Sequence, residues 1–252
     1  MSFTPTSIVG ATALVTGSSR GFGRSIAMSL SQAGARVVGV ARDKDQLSQL
    51  REELGDSFTG VTEDAAAPET AGRLIDAYRP AILVLNAGAA PLSRPLHQHT
   101  WQTFSRNWEV DVQHAFRWVR EALLSPLDPA SRVITVSSGA ALRGSPLSGG
   151  YAGAKAAIRF LTAYAADESE RAALGVRFCC VLPQLTSATA LGSAAVAAYA
   201  ARAGMTVADY LSAAGPALTT EQVGAAVTGL VTDAGYDKGA YLLTAAGLAP
   251  AP

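Results

Sequence analysis

The chain has 252 residues and carries 20 basic and 20 acidic side chains, so its formal net charge is zero. This balance is not that of a general nucleic-acid binder, and a hydrophobic content of 49% excludes a disordered chain. The length suits one α/β domain, so we predict a single domain over residues 1–252, either a metabolic enzyme or a small-ligand binder.

Short apolar runs rich in β-branched residues alternate with longer amphipathic segments. The runs predict strands at Ala11–Thr16, Arg36–Ala41, Phe58–Thr62, Ala81–Leu85, Arg132–Ser137, Val176–Leu182 and Ala240–Thr244. The amphipathic segments predict helices at Phe22–Ala33, Asp45–Leu54, Pro68–Tyr78, Thr100–Leu124, Tyr151–Arg171 and Thr220–Thr232. The alternation indicates an α/β fold with a doubly wound, Rossmann-like parallel sheet of about seven strands and helices on both faces.

One segment departs from this alternation. Residues 184–216 are rich in alanine and small polar residues, with a helical stretch near Ser193–Ala203. The segment follows the sixth predicted strand, at the sheet edge where ligands bind in such folds. We therefore predict that residues 184–216 form a substrate lid.

The sequence gives no sign of a membrane or secretory protein. Residues 1–10 lack a basic start followed by an apolar core, and the uncharged stretch Phe178–Ala201 is interrupted by Pro183 and several polar residues. Cys179 and Cys180 are neighbours in an apolar run, which favours buried thiols over a disulfide. We predict a cytoplasmic protein without a membrane span.

A glycine-rich turn, Thr-Gly-Ser-Ser-Arg-Gly-Phe-Gly at residues 16–23, connects the first strand to the first helix. Glycine permits a tight turn and a close backbone approach, and the amides that open a helix attract a pyrophosphate. This pattern predicts a dinucleotide site at Gly17, Ser19, Arg20, Gly21, Phe22 and Gly23. A glycine-rich turn without a ligand is the alternative.

The end of the second strand indicates which dinucleotide binds. An NAD site places a carboxylate there for the ribose hydroxyls, whereas this chain has Arg42. Together with Arg20, Arg42 could hold a 2′-phosphate, so we predict NADP(H) in preference to NAD(H). Asp43 is better explained as a helix N-cap, and a solvated loop arginine is the alternative for Arg42.

A second group of polar residues follows the fifth strand. Ser138 ends that strand, and Tyr151 and Lys155 lie four residues apart, on one face of the next helix. The ordinary pKa of tyrosine is about 10, so a tyrosine that acts as a general acid/base near neutral pH needs its anion stabilised. A nearby ammonium does this. Ser138 would donate a hydrogen bond to the substrate oxygen. A core tyrosine beside a surface lysine is the alternative for the pair.

With these motifs in order, the chain closely resembles the short-chain dehydrogenase/reductase family, in its single-domain form. The resemblance implies hydride transfer between a nicotinamide and a carbonyl carbon, with Tyr151 passing the proton and Lys155 also holding the nicotinamide ribose. It implies further cofactor contacts at Asp64 for the adenine, at Asn86, Ala87 and Gly88, and at Pro183. Homotetramers or dimers are implied as well.

Three positions depart from the family pattern. Asp111 replaces an asparagine that maintains a water path to the lysine. We hypothesise that Asp111 keeps this relay by accepting hydrogen bonds, while pairing with Lys155 or facing solvent are the alternatives. Gln184 replaces a glycine and would place a side chain near the nicotinamide edge, and Ala246-Gly247 replaces a terminal Gly-Gly.

The predicted loops around this site are small and apolar, which suits an uncharged or hydrophobic ketone or secondary alcohol. Their residues are Ala89, Ala90, Pro91, Leu92, Gly139, Ala140, Ala141, Leu142 and Leu185, with Gln184 as the polar exception. Arg143 could instead meet an acidic substrate, and His97 and His99 lack further ligands for a metal.

The prediction is therefore an NADP(H)-dependent carbonyl reductase or alcohol dehydrogenase that acts on CH–OH groups and binds neither metal nor nucleic acid. The alternative is an NADP(H)-binding protein with little turnover that acts as a sensor or partner. Retention of Ser138, Tyr151 and Lys155 favours the enzyme, because a pure binder needs no proton donor.

Overall fold

A single eight-stranded sheet organises the computed structural model, which describes residues 7–252. The strands are β1 (Thr12–Thr16), β2 (Arg36–Ala41), β3 (Phe58–Thr62), β4 (Ile82–Leu85), β5 (Arg132–Val136), β6 (Arg177–Pro183), β7 (Ala240–Thr244) and β8 (Gly247–Pro250). Their spatial order is β3-β2-β1-β4-β5-β6-β7-β8, with β8 alone antiparallel to its neighbour. The predicted doubly wound fold is confirmed, with one strand more than predicted.

Helices cover both faces of this sheet. They are α1 (Gly21–Gln32), α2 (Lys44–Leu54), α3 (Thr70–Tyr78), α4 (Trp101–Asn107), α5 (Gln113–Leu124), α6 (Ala140–Arg143), α7 (Tyr151–Arg171), α8 (Ala190–Arg202), α9 (Val207–Ala214) and α10 (Thr220–Thr232). No helix among residues 7–252 combines the length and the apolar composition that a membrane crossing requires.

The core consists of two apolar layers, one on each face of the sheet. Alternate residues of a strand enter opposite layers. Val15 of β1 packs in the layer formed by α1, α2 and α10, and Leu14 packs in the layer formed by α3, α5 and α7. Because a parallel sheet is buried on both faces, its strands are continuous apolar runs. This burial aligns the carboxyl ends of β1, β4, β5 and β6 along one edge.

The segment predicted as a single helix over Thr100–Leu124 is divided in three. A π-helical turn at Trp108–Val112 separates α4 from α5. Such turns insert a residue into the helical repeat and are frequent at functional sites. Here the π turn contains Asp111, which is buried.

The segment predicted as a lid, residues 184–216, contains two helices rather than one. Thr189 caps α8 and Thr206 caps the α9 helix, which was not predicted. The Gln184 side-chain amide donates to the Pro216 carbonyl at 3.1 Å, so this side chain joins the two ends of the segment. The expectation that the Gln184 side chain lies near the nicotinamide edge stays a prediction.

Helix α5 buries a histidine in the layer beneath β4 and β5. The His114 ring lies 6.2 Å from that of Trp118, whose indole N–H donates to the Ala65 carbonyl at 2.8 Å. Burial, followed by the nearby Lys155 ammonium, lowers the pKa of His114 to about 3. The imidazole is therefore neutral in the folded protein at neutral pH.

This lowered pKa makes stability depend on pH. Below about pH 6.5, His114 binds a proton in the unfolded state but not in the folded state. We therefore expect the free energy of unfolding to fall as pH falls below about 6.5. The His114 contribution is about 2 kcal/mol between about pH 6.5 and pH 5. Urea unfolding of the wild type and His114→Asn at both pH values measures it.

His97→Asn is the matched control, because His97 is exposed. The variant at position 114 should lose less stability on acidification than either the wild type or the control. Equal losses in all three proteins would contradict a neutral, buried His114.

Candidate active site

The glycine-rich turn after β1 is shaped by two close backbone approaches. A Cβ on Gly23 would lie 2.1 Å from the Gly17 carbonyl oxygen, so only glycine fits there. Gly17 has φ +68°, a left-handed conformation, and a Cβ there would lie 2.9 Å from the Cα of Ala87. The turn is thus folded tightly against the end of β4.

The end of β4 holds this turn by hydrogen bonds. The Asn86 side-chain amide donates to the carbonyls of Thr16 and Gly17 at 3.1 and 3.2 Å. In return, the Thr16 hydroxyl accepts from the backbone amides of Asn86 and Ala87 at 3.0 and 3.2 Å. Thr16 is a structural part of the site that the sequence motif contained but that we did not assign.

Helix α1 begins at Gly21 without a side-chain cap within the described residues. In contrast, Asp43 accepts from the Gln46 amide at 3.0 Å and caps α2, as the sequence predicted. The first amides of a helix have no partner inside it, so those of α1 are free for an anion. The buried Ser18 hydroxyl in this turn also has no partner within residues 7–252. These features fit the pyrophosphate of a dinucleotide.

Arg20 and Arg42 follow two neighbouring strands. Both are exposed, and neither forms an ion pair within the described part of the chain. The Gly17 amide donates to the Val40 carbonyl at 2.7 Å, which joins the glycine-rich turn to the end of β2. Asp64 lies beyond β3, where its side chain is exposed and accepts from the Ala66 amide at 2.9 Å.

Tyr151 and Lys155 lie one turn apart at the start of α7. The Lys155 Nζ atom is 5.6 Å from the centre of the Tyr151 ring and donates to the Val136 carbonyl at 3.3 Å. The Ser137 hydroxyl donates to the Lys155 carbonyl at 2.7 Å, which fixes α7 to the end of β5. Ser138 follows Ser137 in the chain and is half-buried, and its hydroxyl accepts from the Ala140 amide at 3.2 Å.

Asp111 forms an ion pair with Lys155. The Asp111 Oδ2 atom lies 3.2 Å from Lys155 Nζ, with side-chain exposures of 1% and 7%. Asp111 Oδ1 accepts from the Ala89 amide at 2.7 Å, and a Cβ on Gly88 would lie 2.8 Å from Oδ2. Asp111 therefore pairs with Lys155, and the alternative of a solvent-facing carboxylate is wrong, while the water relay stays a prediction.

The Lys155 pKa follows from opposing effects. Burial alone would lower the pKa of the Lys155 ammonium, but the Asp111 carboxylate and, to a lesser extent, the ionised form of Tyr151 raise it above its ordinary value. Lys155 is therefore charged at neutral pH although it is buried.

Other predicted residues occupy the rim or lie apart. Arg143 is exposed at the end of α6, and Pro183 is buried at the end of β6. His97 is exposed, while His99 shares hydrogen bonds with the Thr103 hydroxyl at 3.1 Å and the Arg94 carbonyl at 3.2 Å. Within residues 7–252, no three side chains of the histidine, cysteine and acidic types cluster to hold a metal ion.

Known proteins resemble this chain in sequence. L-xylulose reductase of Bos taurus is 31% identical over 164 residues, which are 64% of this chain and 66% of that protein. Carbonyl reductase (NADPH) 2 of Sus scrofa is 30% identical over 156 residues, 61% of this chain and 63% of that protein. The matched region is thus just under two thirds of the length of these relatives.

Solved structures match a larger share of this chain. L-sorbose reductase from Gluconobacter frateurii, in complex with NADPH and L-sorbose, superposes with a TM-score of 0.78 at 25% identity. The superposition covers 94% of this chain and 96% of the other. The family model described as short chain dehydrogenase matches residues 11–200, which include β1 to β6 and both polar clusters of the site. The chain therefore belongs to the short-chain dehydrogenase/reductase family.

Proposed function

We propose that this protein is an NADP(H)-dependent oxidoreductase that interconverts a ketone and a secondary alcohol. The observation that carries this proposal is the pairing of Tyr151 with a buried, charged Lys155 at the carboxyl end of β5, the strand that Ser138 follows. The uncapped start of α1 follows β1 at the carboxyl edge of the same sheet, where ligands of doubly wound folds bind.

The proposed chemistry assigns one task to each side chain. The bound nicotinamide supplies or accepts the hydride. In the reducing direction, Tyr151 gives its phenolic proton to the substrate oxygen as negative charge develops there. Ser138 donates a hydrogen bond to the same oxygen, which orients the substrate carbonyl. Lys155 holds the cofactor ribose and stabilises the tyrosinate that remains.

Removing the proton donor tests this assignment. We expect Tyr151→Phe to lower kcat for NADPH-dependent ketone reduction by at least about a hundredfold, because general acid catalysis is lost. NADPH affinity should stay within about threefold of the wild type, because a phenyl ring preserves the packing. Initial rates at the nicotinamide absorbance and NADPH fluorescence titration measure the two quantities.

Tyr78→Phe is the matched control, because Tyr78 is a half-buried tyrosine on α3, away from the proposed site. Full activity of Tyr151→Phe would overturn the mechanism. A wild type that binds NADPH but turns over no ketone or alcohol in a broad panel would favour the sensor or partner alternative.

Two arginines support NADP(H) over NAD(H). Arg20 and Arg42 leave their guanidinium groups without a carboxylate partner within residues 7–252, while Asp43, the competing acid, caps α2. A guanidinium binds a 2′-phosphate with two parallel hydrogen bonds. The carbonyl reductase relative carries NADPH in its name.

Substitution of Arg42 tests this preference. We expect Arg42→Ala to raise the KM for NADPH by about tenfold or more, since a charged hydrogen bond to the phosphate is lost. The KM for NADH should not change, because NADH has no 2′-phosphate. Arg36→Ala, at the exposed start of β2, is the control. An equal effect of Arg42→Ala on both cofactors would contradict the assignment.

The substrate we propose is uncharged or hydrophobic. The loop after β4 supplies Ala89, Pro91 and Leu92, all half-buried, and Ala140, Ala141 and Leu142 follow Ser138. Two relatives are named for L-xylulose and L-sorbose, which are uncharged ketoses.

Residues 184–216 are proposed as the lid over this substrate. A Cβ on Gly21 would lie 3.4 Å from the Thr189 methyl group, so the start of the lid approaches the glycine-rich turn. Tyr199 on α8 shares a hydrogen bond with the Ser145 hydroxyl, which links the lid to the loop before α7. The lid thus touches both halves of the proposed site.

We also propose that two or more copies of the chain associate through α5 and α7. These packed helices expose an aromatic face formed by Phe116, Phe160 and Tyr164, with exposures of 49%, 58% and 60%. The rings of Phe160 and Tyr164 stack at 6.3 Å. An apolar surface of this kind is typical of a contact between subunits.

A charge on that face tests the association. We expect Phe160→Glu to reduce the mass measured by light scattering to that of the 25.8 kDa chain, because the carboxylate would be buried without a partner. Val9→Glu, at a site 76% exposed elsewhere, should not change the mass. A wild type that is already monomeric would contradict the proposal.

A further inference from the structure

The Lys155 ammonium has an acidic neighbour as well as a phenolic one. Tyr151 lies on one side, with its ring centre 5.6 Å from Nζ, and Asp111 Oδ2 lies 3.2 Å away. A main-chain oxygen, that of Val136, is the third neighbour at 3.3 Å. One buried cation is therefore shared between a carboxylate and the phenol that would carry the proton.

The carboxylate is fixed in place from several directions. Asp111 Oδ1 accepts from the Ala89 amide at 2.7 Å. Asn107, one turn earlier, donates to the Ala89 carbonyl at 2.7 Å and approaches Asp111 Oδ1 at 3.5 Å. Gly88 leaves room for this carboxylate, since a Cβ there would lie 2.8 Å from Oδ2. These contacts hold the carboxylate beside the ammonium.

The other titratable groups that act on Lys155 are uncharged. On α5, burial keeps His114 neutral, and its Nε2 atom has no partner within the described residues. On β6, burial raises the pKa of the Cys180 thiol, so it is protonated. At neutral pH the buried charges are therefore Lys155 and Asp111, and they cancel.

We propose that Asp111 neutralises Lys155 and thereby keeps Tyr151 protonated through neutral and mildly alkaline pH. A lone ammonium beside a tyrosine would favour tyrosinate, and a carboxylate next to that ammonium weakens this effect. The phenol form is the one that donates a proton in carbonyl reduction. Asp111 is thus a positioning residue that sets the acid form of the site, acting through Lys155 rather than by touching the substrate.

The catalytic consequence rests on the proposed function, but the charge on Tyr151 can be measured without turnover. Tyrosinate absorbs near 295 nm, and the spectrum of the wild type minus that of Tyr151→Phe isolates one of the 7 tyrosines. In the wild type we expect this difference to titrate near or above the ordinary tyrosine pKa of about 10. The same difference is then taken between Asp111→Asn and the double variant Asp111→Asn/Tyr151→Phe. We expect that difference to titrate at least about one pH unit lower.

Asp167→Asn is the matched control, because it removes one exposed carboxylate from α7 and should leave the titration unchanged. A wild-type Tyr151 that titrates below about pH 8, or equal titrations in the wild type and Asp111→Asn, would overturn the proposal. If Asp111→Asn does not fold, the wild-type titration alone tests the proposal, and a Tyr151 pKa below about 8 would overturn it.

Kinetics give a second measurement. In Asp111→Asn, the alkaline limb of kcat for ketone reduction should move to lower pH, and kcat for alcohol oxidation at pH 7 should rise about tenfold, the ratio that one pH unit represents. An alkaline limb of the kcat profile that stays at the same pH in Asp111→Asn would contradict the proposal. A wild type without turnover on any ketone or alcohol would instead reject the proposed function, and the absorbance titration would still decide the role of Asp111.

Discussion

The buried ammonium of Lys155 is the feature on which the site depends. A charge that is only 6% exposed is unstable in an apolar core unless an opposite charge lies beside it. Asp111 provides that charge at 3.2 Å, and loss of one member of such a pair costs about 3–5 kcal/mol. The positions of α7, of the π turn and of the loop after β4 therefore depend on one another, because all three contribute atoms to this buried ion pair and its hydrogen bonds.

The π turn is the local irregularity that meets this constraint. An added residue rotates the following helix by about 100°, so α4 and α5 present differently phased faces to the core. Asn107 at the end of α4, Asp111 in the turn and His114 in α5 are all buried. They are spaced i, i+4 and i+7, where a buried helix face usually carries apolar residues, and here they form a buried polar row. The backbone irregularity and the buried charge are thus parts of one arrangement.

The sequence predicted those parts that depend on neighbouring residues. The glycine-rich turn and the Tyr151–Lys155 spacing are local patterns, and the alternation of strands and helices follows from burial. The partner of Asp111 could not be chosen among three alternatives, because Lys155 lies 44 positions away and the contact depends on the π turn. The hydrogen bond from Gln184 to the Pro216 carbonyl could not be predicted for the same reason, since it joins residues 32 positions apart. The short strand β8 was missed because Gly247 and Pro250 give it a weak strand pattern.

The two halves of the site are joined by four consecutive residues after β4. Asn86 holds the glycine-rich turn through the carbonyls of Thr16 and Gly17, and Ala89 holds Asp111 through its amide. Gly88 lies between them with no room for a side chain. A shift of this segment would therefore move the helix start that suits a pyrophosphate and the carboxylate that neutralises Lys155 at the same time. The glycine-rich turn and the Asp111–Lys155 pair are therefore coupled through the contacts of these four residues.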